Sequence, residues 1–290
     1  MLSSVKKLIS NKIIKNNFYK NYSLIIGKNP SRGARSPLLW NAAYKKHGIK
    51  AKMYPADVSK KNIKKLIKAL YSDKNFLAAV VTNPYKEIVY RMLKKNSSIL
   101  AKRIGAINCI YRKQNDFYTT NTDAEASFLA IKNKISLKKK NVILILGFGG
   151  VGKAVMMAFK TFLKNSKIYV VTRKNNNKYQ GINFIKQDQL NAIFKDITIC
   201  INCTVLGSKI KKKRSPLNLK QIKKLKKTTL IFDVIYNPRL TLFLKLSKKI
   251  KLQITNGIQM NLLQAVLAFN LANKFSKNNS KTFLAMRDAK

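Results

Sequence analysis

Hydrophobic residues in this chain fall into short continuous runs, separated by stretches with helical spacing. Residues 22–26 form an apolar run ending at Gly27, which reads as a strand entering a turn. Ser36-Pro37 then opens a helix over 38–47, with Ser36 predicted as N-cap and Pro37 at the first helical position. A strand is predicted over 76–82, stopped by Asn83-Pro84, and helical spacing resumes over 86–93. After Asn141 the run Val-Ile-Leu-Ile-Leu146 is apolar throughout, and 141–146 has the pattern of a strand buried on both faces. It leads through Gly147-Phe-Gly149-Gly150-Val-Gly152 into helical spacing over 153–163. Further strands are predicted over 167–172, 197–202 and 230–234, and a last helix over 261–272. Strand and helix in alternation predict an α/β fold with a largely parallel sheet.

Length and composition narrow this picture. A chain of 290 residues accommodates one or two domains. Its 46% hydrophobic content is that of an ordinary globular protein, and no apolar run approaches the ~18 residues of a membrane span. Three cysteines make no disulfide framework, so a reducing, cytoplasmic setting is expected. The unusual feature is charge: 60 Lys and Arg against 10 Asp and Glu, formally +50. Such an excess raises RNA, DNA or an anionic membrane as partners. The lysines are nevertheless spread through every segment and mixed with Asn and Ile, which reads as compositional drift; no specific nucleic-acid partner is expected. The densest stretch, 208–229, has no acid and reads as a solvated loop and helix face. The first twenty residues are also basic without an acid, but their cations are all Lys, unlike typical targeting peptides. Residues 1–21 are therefore read as an extension flanking the fold. A monomer or homodimer is expected.

The spacing Gly147-x-Gly149-x-x-Gly152 between a strand and a helix is the dinucleotide-binding pattern. Glycines there permit the tight turn and let backbone approach a pyrophosphate at the helix N-terminus. The same residues nearly spell a phosphate loop, Gly147-x-x-x-x-Gly152-Lys153, and Leu230-Ile-Phe-Asp233 resembles its acidic strand. Ala154, however, occupies the place of the hydroxyl that ligates Mg²⁺ in such loops, which favours the dinucleotide. The strand over 167–172 ends in Thr172-Arg173-Lys174 with no acid for a ribose 2′-hydroxyl, which favours NADP over NAD. Cys200-x-x-Cys203 has metal or redox spacing, but residues three apart on a strand face opposite sides, so both read as core thiols. His47 is the only histidine, which rules out a multi-histidine metal site; no metal is expected.

Eight ordered stretches resemble the shikimate dehydrogenase family, which includes shikimate and quinate dehydrogenases. They are Ser36-Pro37-x-x-x-Asn41, Val81-Thr82-Asn83-Pro84-Tyr85-Lys86, Gly105-Ala-Ile-Asn108, Asn121-Thr122-Asp123, the glycine loop, Ile201-Asn202-Cys-Thr204-Val-Leu-Gly207, Asp233-Val-Ile-Tyr236-Asn-Pro238, and Asn256-Gly257-Ile-Gln-Met260-x-x-x-Gln264-Ala265. An unrelated dinucleotide enzyme would share only the glycine loop. The resemblance implies an α/β protein of two domains with a cleft between them. Residues 22–122 would form the first part of a substrate domain and 123–255 a Rossmann-type NADP domain. Residues 256–290 would return to the substrate domain.

The implied activity is NADPH-dependent reversible reduction of 3-dehydroshikimate to shikimate, in the pathway to chorismate and the aromatic amino acids. Lys86 and Asp123 would be the catalytic pair. Ser36, Thr82, Asn108, Tyr236 and Gln264 would hold the substrate. Gly147, Gly149, Gly150, Gly152, Thr172, Arg173, Lys174, Gly257 and Met260 would hold the cofactor. The chemistry is coherent: hydride arriving at a ketone leaves an alkoxide, a lysine can protonate it, and a carboxylate orients the ammonium. Each assignment has a plainer counterpart: Lys86 as one surface lysine among many, Asp123 as an N-cap, Asp233 as a strand-end cap, Tyr236 as a half-buried aromatic, and Gln264 on an apolar helix face. The chain also departs from the family. The family grips the substrate carboxylate with Ser-x-Ser-Pro, whereas Gly33-Ala34-Arg35-Ser36-Pro37 lacks the first hydroxyl, leaving Arg32 or Arg35 to offset it. That change leaves quinate or another cyclic polyol acid open as the substrate. Ala124 and Ala126 stand where glycines are common.

Overall fold

The computed structural model describes residues 1–13, 19–172 and 179–289, and divides them into two compact units. One comprises Met1–Thr122 with Leu262–Lys290, the other Asp123–Asn261. The chain crosses back inside the helix that starts at Ile258, a few residues beyond position 256.

The first unit is built on strands β1 (Asn21–Gly27), β2 (Ala51–Asp57), β3 (Phe76–Val81), β4 (Cys109–Lys113) and β5 (Asp116–Thr120). Their order is β2-β1-β3-β4-β5; β1 pairs in parallel with β2 and β3, while β4 and β5 form an antiparallel hairpin. The helices of this stretch are α1 (Ser3–Lys6), α2 (Ser36–Lys46), α3 (Ile63–Ser72), α4 (Lys86–Leu93) and α5 (Ile99–Ile104). Alternation along each strand splits the core. Leu24 and Ile26 face a cluster with Val5, Leu66, Leu70 and Val89. Ile25, Met53 and Val80 face a second cluster with Leu39, Trp40, Tyr44 and Phe269.

Two local expectations are revised. Of the 1–21 extension, residues 5–11 do not simply flank the fold. Val5 and Ile9 are buried in the first cluster, and Ser10 and Asn11 bond to the edge strand β2, because the segment's spaced apolar residues find a core to enter. Ser36 is not an N-cap. Arg35 is already helical at φ −77°, ψ −20°, so α2 starts at Ser36 and the extended geometry a capping serine needs is absent.

The second unit begins inside α6 (Thr122–Leu129) and contains β6 (Asn141–Leu146), α7 (Gly150–Phe162), β7 (Ser166–Val171), β8 (Ile182–Ile185), β9 (Ile199–Asn202), α8 (Leu219–Ile222), β10 (Leu230–Asp233), α9 (Leu242–Lys249) and β11 (Gln253–Thr255). Its six strands are all parallel, in the order β11-β10-β9-β6-β7-β8. Read from β8, this is the 3-2-1-4-5-6 order of a doubly wound dinucleotide-binding sheet. The chain winds one way from β6 and the other way from β9, so the end of β6 lies at the switch point where such sheets take their ligands. Helices α10 (Ile258–Ala272) and α11 (Ser280–Arg287) close the chain. Among the described residues no helix is long and apolar enough to cross a membrane.

Candidate active site

In the first unit Thr82 and Asn108 lie where β1, β3 and β4 end or begin. The Thr82 amide donates to the Ile26 carbonyl at 2.9 Å, and the Val81 amide to the Asn108 carbonyl at 2.7 Å. Asn83–Pro84 is a cis peptide; Tyr85 follows, buried, and half-buried Lys86 opens α4. The Ile107 amide donates to the Lys86 carbonyl at 3.1 Å, so the backbone carrying Lys86 is tied to the segment carrying Asn108.

Asn108 is the hub of a buried polar cluster. Its Nδ2 donates to Thr122 Oγ1 at 2.9 Å and to Gln264 Oε1 at 3.3 Å. Its Oδ1 accepts from the Thr122 amide at 2.8 Å, and the Thr122 hydroxyl donates to the Gln264 carbonyl at 3.0 Å. Asn108, Thr122 and Gln264 are each 6% exposed or less. Gln264 therefore does not merely complete an apolar helix face; its Oε1 accepts from Asn108. Ser36 is buried at the start of α2, with Pro37 beside it, and Ala34 packs against the second core cluster. Neighbouring Asn121 donates to the Ala106 carbonyl at 3.0 Å.

In the second unit, Asp123 is the second residue of α6 and 6% exposed; Thr122 has already begun the helix, so Asp123 is not its cap. Ala124 and Ala126 are fully buried. The glycine loop sits at the end of β6. Gly147 has φ +100°, a left-handed conformation that disfavours a side chain, and a Cβ there would meet Thr204 Cγ2 at 2.8 Å. A Cβ on Gly152 would lie 2.1 Å from the Gly147 carbonyl oxygen, so helix and turn can approach only without one. Gly149 differs, because it is exposed and a Cβ there would meet nothing. It holds the N-cap position of α7 with no side-chain cap, so that helix's first amides stand behind an open backbone. Gly150 begins the helix.

This loop borders a pocket of about 860 Å³ lined by Phe148, Thr172, Gln187, Thr204, Val205 and Pro216, among others. Among the described residues none that lines it is an acid. An open glycine, helix amides and acid-free walls fit an anionic dinucleotide. Thr172 is at the pocket; Arg173 and Lys174 lie outside the described residues. Thr204 and Leu206 fall within a motif visible in the sequence, whereas Gln187 and Pro216 carry no sequence mark and reach the pocket only through the fold. Gly257 is pressed against β10's continuation, where a Cβ would lie 2.0 Å from the Val234 carbonyl oxygen; Met260 is 5% exposed and Tyr236 half-buried.

Asp233, the acid of the phosphate-loop alternative, is engaged by protein donors. It is fully buried at the end of β10, one strand removed from the neighbour of β6. Oδ1 accepts from Asn202 Nδ2 at 3.1 Å and the Ile235 amide at 3.0 Å, and Oδ2 from the Thr241 hydroxyl at 2.7 Å. Desolvation pushes its pKa up to about 6 despite these donors. It joins β9, β10 and the start of α9. Cys200 packs into the core beside Leu144 and Ile231, while Cys203 lies near Gly152 on α7, so the two thiols take opposite faces; burial, with the Asp233 charge, raises both pKa values. Among the described residues no group of three His, Cys, Asp or Glu is placed to hold a metal.

Residues 25–110 match the family model of the shikimate dehydrogenase substrate binding domain. A shikimate dehydrogenase (NADP(+)) of Clostridium beijerinckii is 34% identical over 254 residues, spanning 85% of this chain and 90% of that protein. The crystal structure of shikimate dehydrogenase 1 from Peptoclostridium difficile aligns with a TM-score of 0.80 at 28% identity, over 93% of this chain and 97% of that one. A shikimate dehydrogenase solved in complex with NADP+ aligns with a TM-score of 0.79 at 25% identity, over 92% and 95% of the two chains. Likeness at this level along nearly the whole of both chains, together with the ordered motifs, the 3-2-1-4-5-6 sheet and the glycine loop at its switch point, shows that this chain belongs to the shikimate dehydrogenase family.

Proposed function

We propose that the protein is an NADP-dependent shikimate dehydrogenase, interconverting 3-dehydroshikimate and shikimate in the cytoplasm. The observation that carries this reading is the likeness to a shikimate dehydrogenase (NADP(+)) over 90% of that relative's length. NADP, when bound, supplies or accepts the hydride. Open Gly149, the α7 amides and Thr172 receive its phosphates, with Arg173 and Lys174 completing the 2′-phosphate site. The absence of any acid from the pocket lining and from residues 173–178 supports NADP over NAD.

Lys86 delivers the proton to the ketone oxygen, and Asp123 holds its ammonium and adjusts its basicity. Asn108, held by Thr122 and Gln264, presents a fixed amide to a substrate hydroxyl, and Thr82, Tyr236 and Gln264 itself complete the grip. Ser36 stands at the positive end of the α2 dipole, which favours a carboxylate. With Ala34 unable to donate, Arg32 or Arg35 supplies the second contact, and losing a hydrogen bond to that charged group would otherwise cost about 1.5–3 kcal/mol. Gly257 and Met260 border the nicotinamide. The test is turnover of shikimate and of quinate, each with NADP and with NAD. Preference for shikimate with NADP supports the reading, and preference for quinate assigns the neighbouring activity instead.

A further inference from the structure

The edge strand β2 ends at Asp57, one of only ten acids in the chain and 8% exposed. Its carboxylate is spent on one residue: Oδ1 accepts from the Ser31 amide at 2.9 Å, and Oδ2 from the Ser31 hydroxyl. Ser31 is the middle of the single turn Pro30–Arg32, which is closed by the Ala34 amide donating to the Pro30 carbonyl at 3.0 Å. That turn leads within four residues to Ser36 at the start of α2.

Asp57 is held in its turn by the N-terminal segment. Its amide donates to Asn11 Oδ1 at 2.6 Å, while Asn11 Nδ2 donates to the Pro55 carbonyl at 3.1 Å. The Asp57 carbonyl accepts from the Ser10 amide at 2.8 Å and the Ser10 hydroxyl at 2.9 Å. Residues 10 and 11 thus cover a sheet edge that would otherwise be bare. The next residue, Val58, donates its amide to the Gly27 carbonyl at 2.8 Å and accepts the Tyr85 hydroxyl through its own carbonyl. One short stretch of backbone therefore anchors both the approach to Ser36 and the residue preceding Lys86.

We propose that Asp57 is a positioning residue for substrate binding: its carboxylate fixes the turn that delivers Ser36, and the segment around Ser10 and Asn11 clamps Asp57 in place. This rests on the reading of Ser36 as a substrate ligand. The carboxylate suits the task because two acceptor oxygens take both donors of one serine, giving a two-point hold that an exposed turn could not make for itself. An accurately placed hydroxyl matters more here than in relatives with two, since Ala34 leaves only one.

The test uses the full chain with Asp57→Ala, Asp57→Asn and Asn11→Ala. For Asp57→Ala the KM for shikimate rises by about tenfold or more, the loss expected of hydrogen bonds to a charged group, while kcat and the KM for NADP stay within about threefold. Asp57→Asn, which keeps an acceptor for the Ser31 amide, recovers part of the loss, and Asn11→Ala shifts the shikimate KM in the same direction by less. Amide hydrogen exchange at Ser31 and Ala34 is faster in Asp57→Ala, with or without substrate. Unchanged shikimate KM, equal rises in both KM values, or unchanged exchange at Ser31 would overturn the proposal. If Asp57→Ala does not fold, the other two variants decide by the same readouts. If the wild type turns over no shikimate, the proposed function fails while exchange at Ser31 still decides whether Asp57 holds the turn.

Discussion

The side-chain amide of Asn108 donates to Gln264 Oε1 at 3.3 Å, joining residues 156 positions apart in sequence. The bond is buried, and the same nitrogen also serves Thr122, so neither partner can be cut away without stranding the other. Asn108→Ala and Gln264→Ala should each lower stability by about 1–3 kcal/mol and raise the KM for shikimate. In a double-mutant cycle the two losses should be less than additive, because the second substitution removes a group already left unpaired. Thermal melts and steady-state kinetics on the three variants check this.

Gly149 and Gly152 lie three residues apart but predict opposite outcomes. Gly152→Ala drives a Cβ to 2.1 Å from the Gly147 carbonyl oxygen, so the turn must move and the protein should melt well below the wild type. Gly149→Ala meets no protein atom and should leave the melting temperature nearly unchanged. Its methyl group projects where backbone is proposed to meet pyrophosphate, so the KM for NADPH should rise at least about tenfold. A Gly149→Ala enzyme with normal NADPH affinity would place the cofactor elsewhere.

Arg173 is the proposed partner of the 2′-phosphate. Arg173→Ala should weaken NADPH binding by about 10- to 100-fold, the scale of a lost charged hydrogen bond, and leave NADH binding nearly unaltered. The ratio of the two dissociation constants is the readout, because it cancels any general loss of charge.

Asp233 makes stability depend on pH. Its folded pKa, about 6, lies above the ordinary value of 3.8, so between those values the native state holds a proton that the unfolded chain has released. The associated stability is complete below about pH 4 and is lost as pH rises through about 6. Melting temperatures from pH 4 to 7 should show this decline in the wild type, and Asp233→Asn should flatten it.

Much of the fold is legible in the sequence. The strands β3, β6, β9 and β10 are apolar runs but for Asn141, Asn202 and Asp233 at their ends, and motifs visible in the sequence adjoin those ends. β2 was not legible, because Ala-Lys-Met-Tyr-Pro-Ala-Asp carries a lysine, a proline and an acid that only an edge strand tolerates. The β4–β5 hairpin carries no sequence signal either; its turn passes through Gln114 at φ +55° without the usual Gly or Asn-Gly mark. Nor could spacing pair Asn108 with Gln264, or show that Ser10 and Asn11 bind Asp57, since those contacts belong to the folded sheet. Ser36 looked like a cap because serine before proline commonly is one; the preceding turn starts the helix earlier.

The central claim is that this chain oxidises shikimate with NADP using Lys86 as its proton-transfer group. The direct measurement is NADP reduction on adding shikimate, for the wild type and for Lys86→Ala with its fold checked by melting. The account predicts steady turnover by the wild type and a kcat lowered by about 10²- to 10⁴-fold in Lys86→Ala, the range for loss of a general acid–base group. A wild type inert toward shikimate, or a Lys86→Ala enzyme as fast as the wild type, would contradict it.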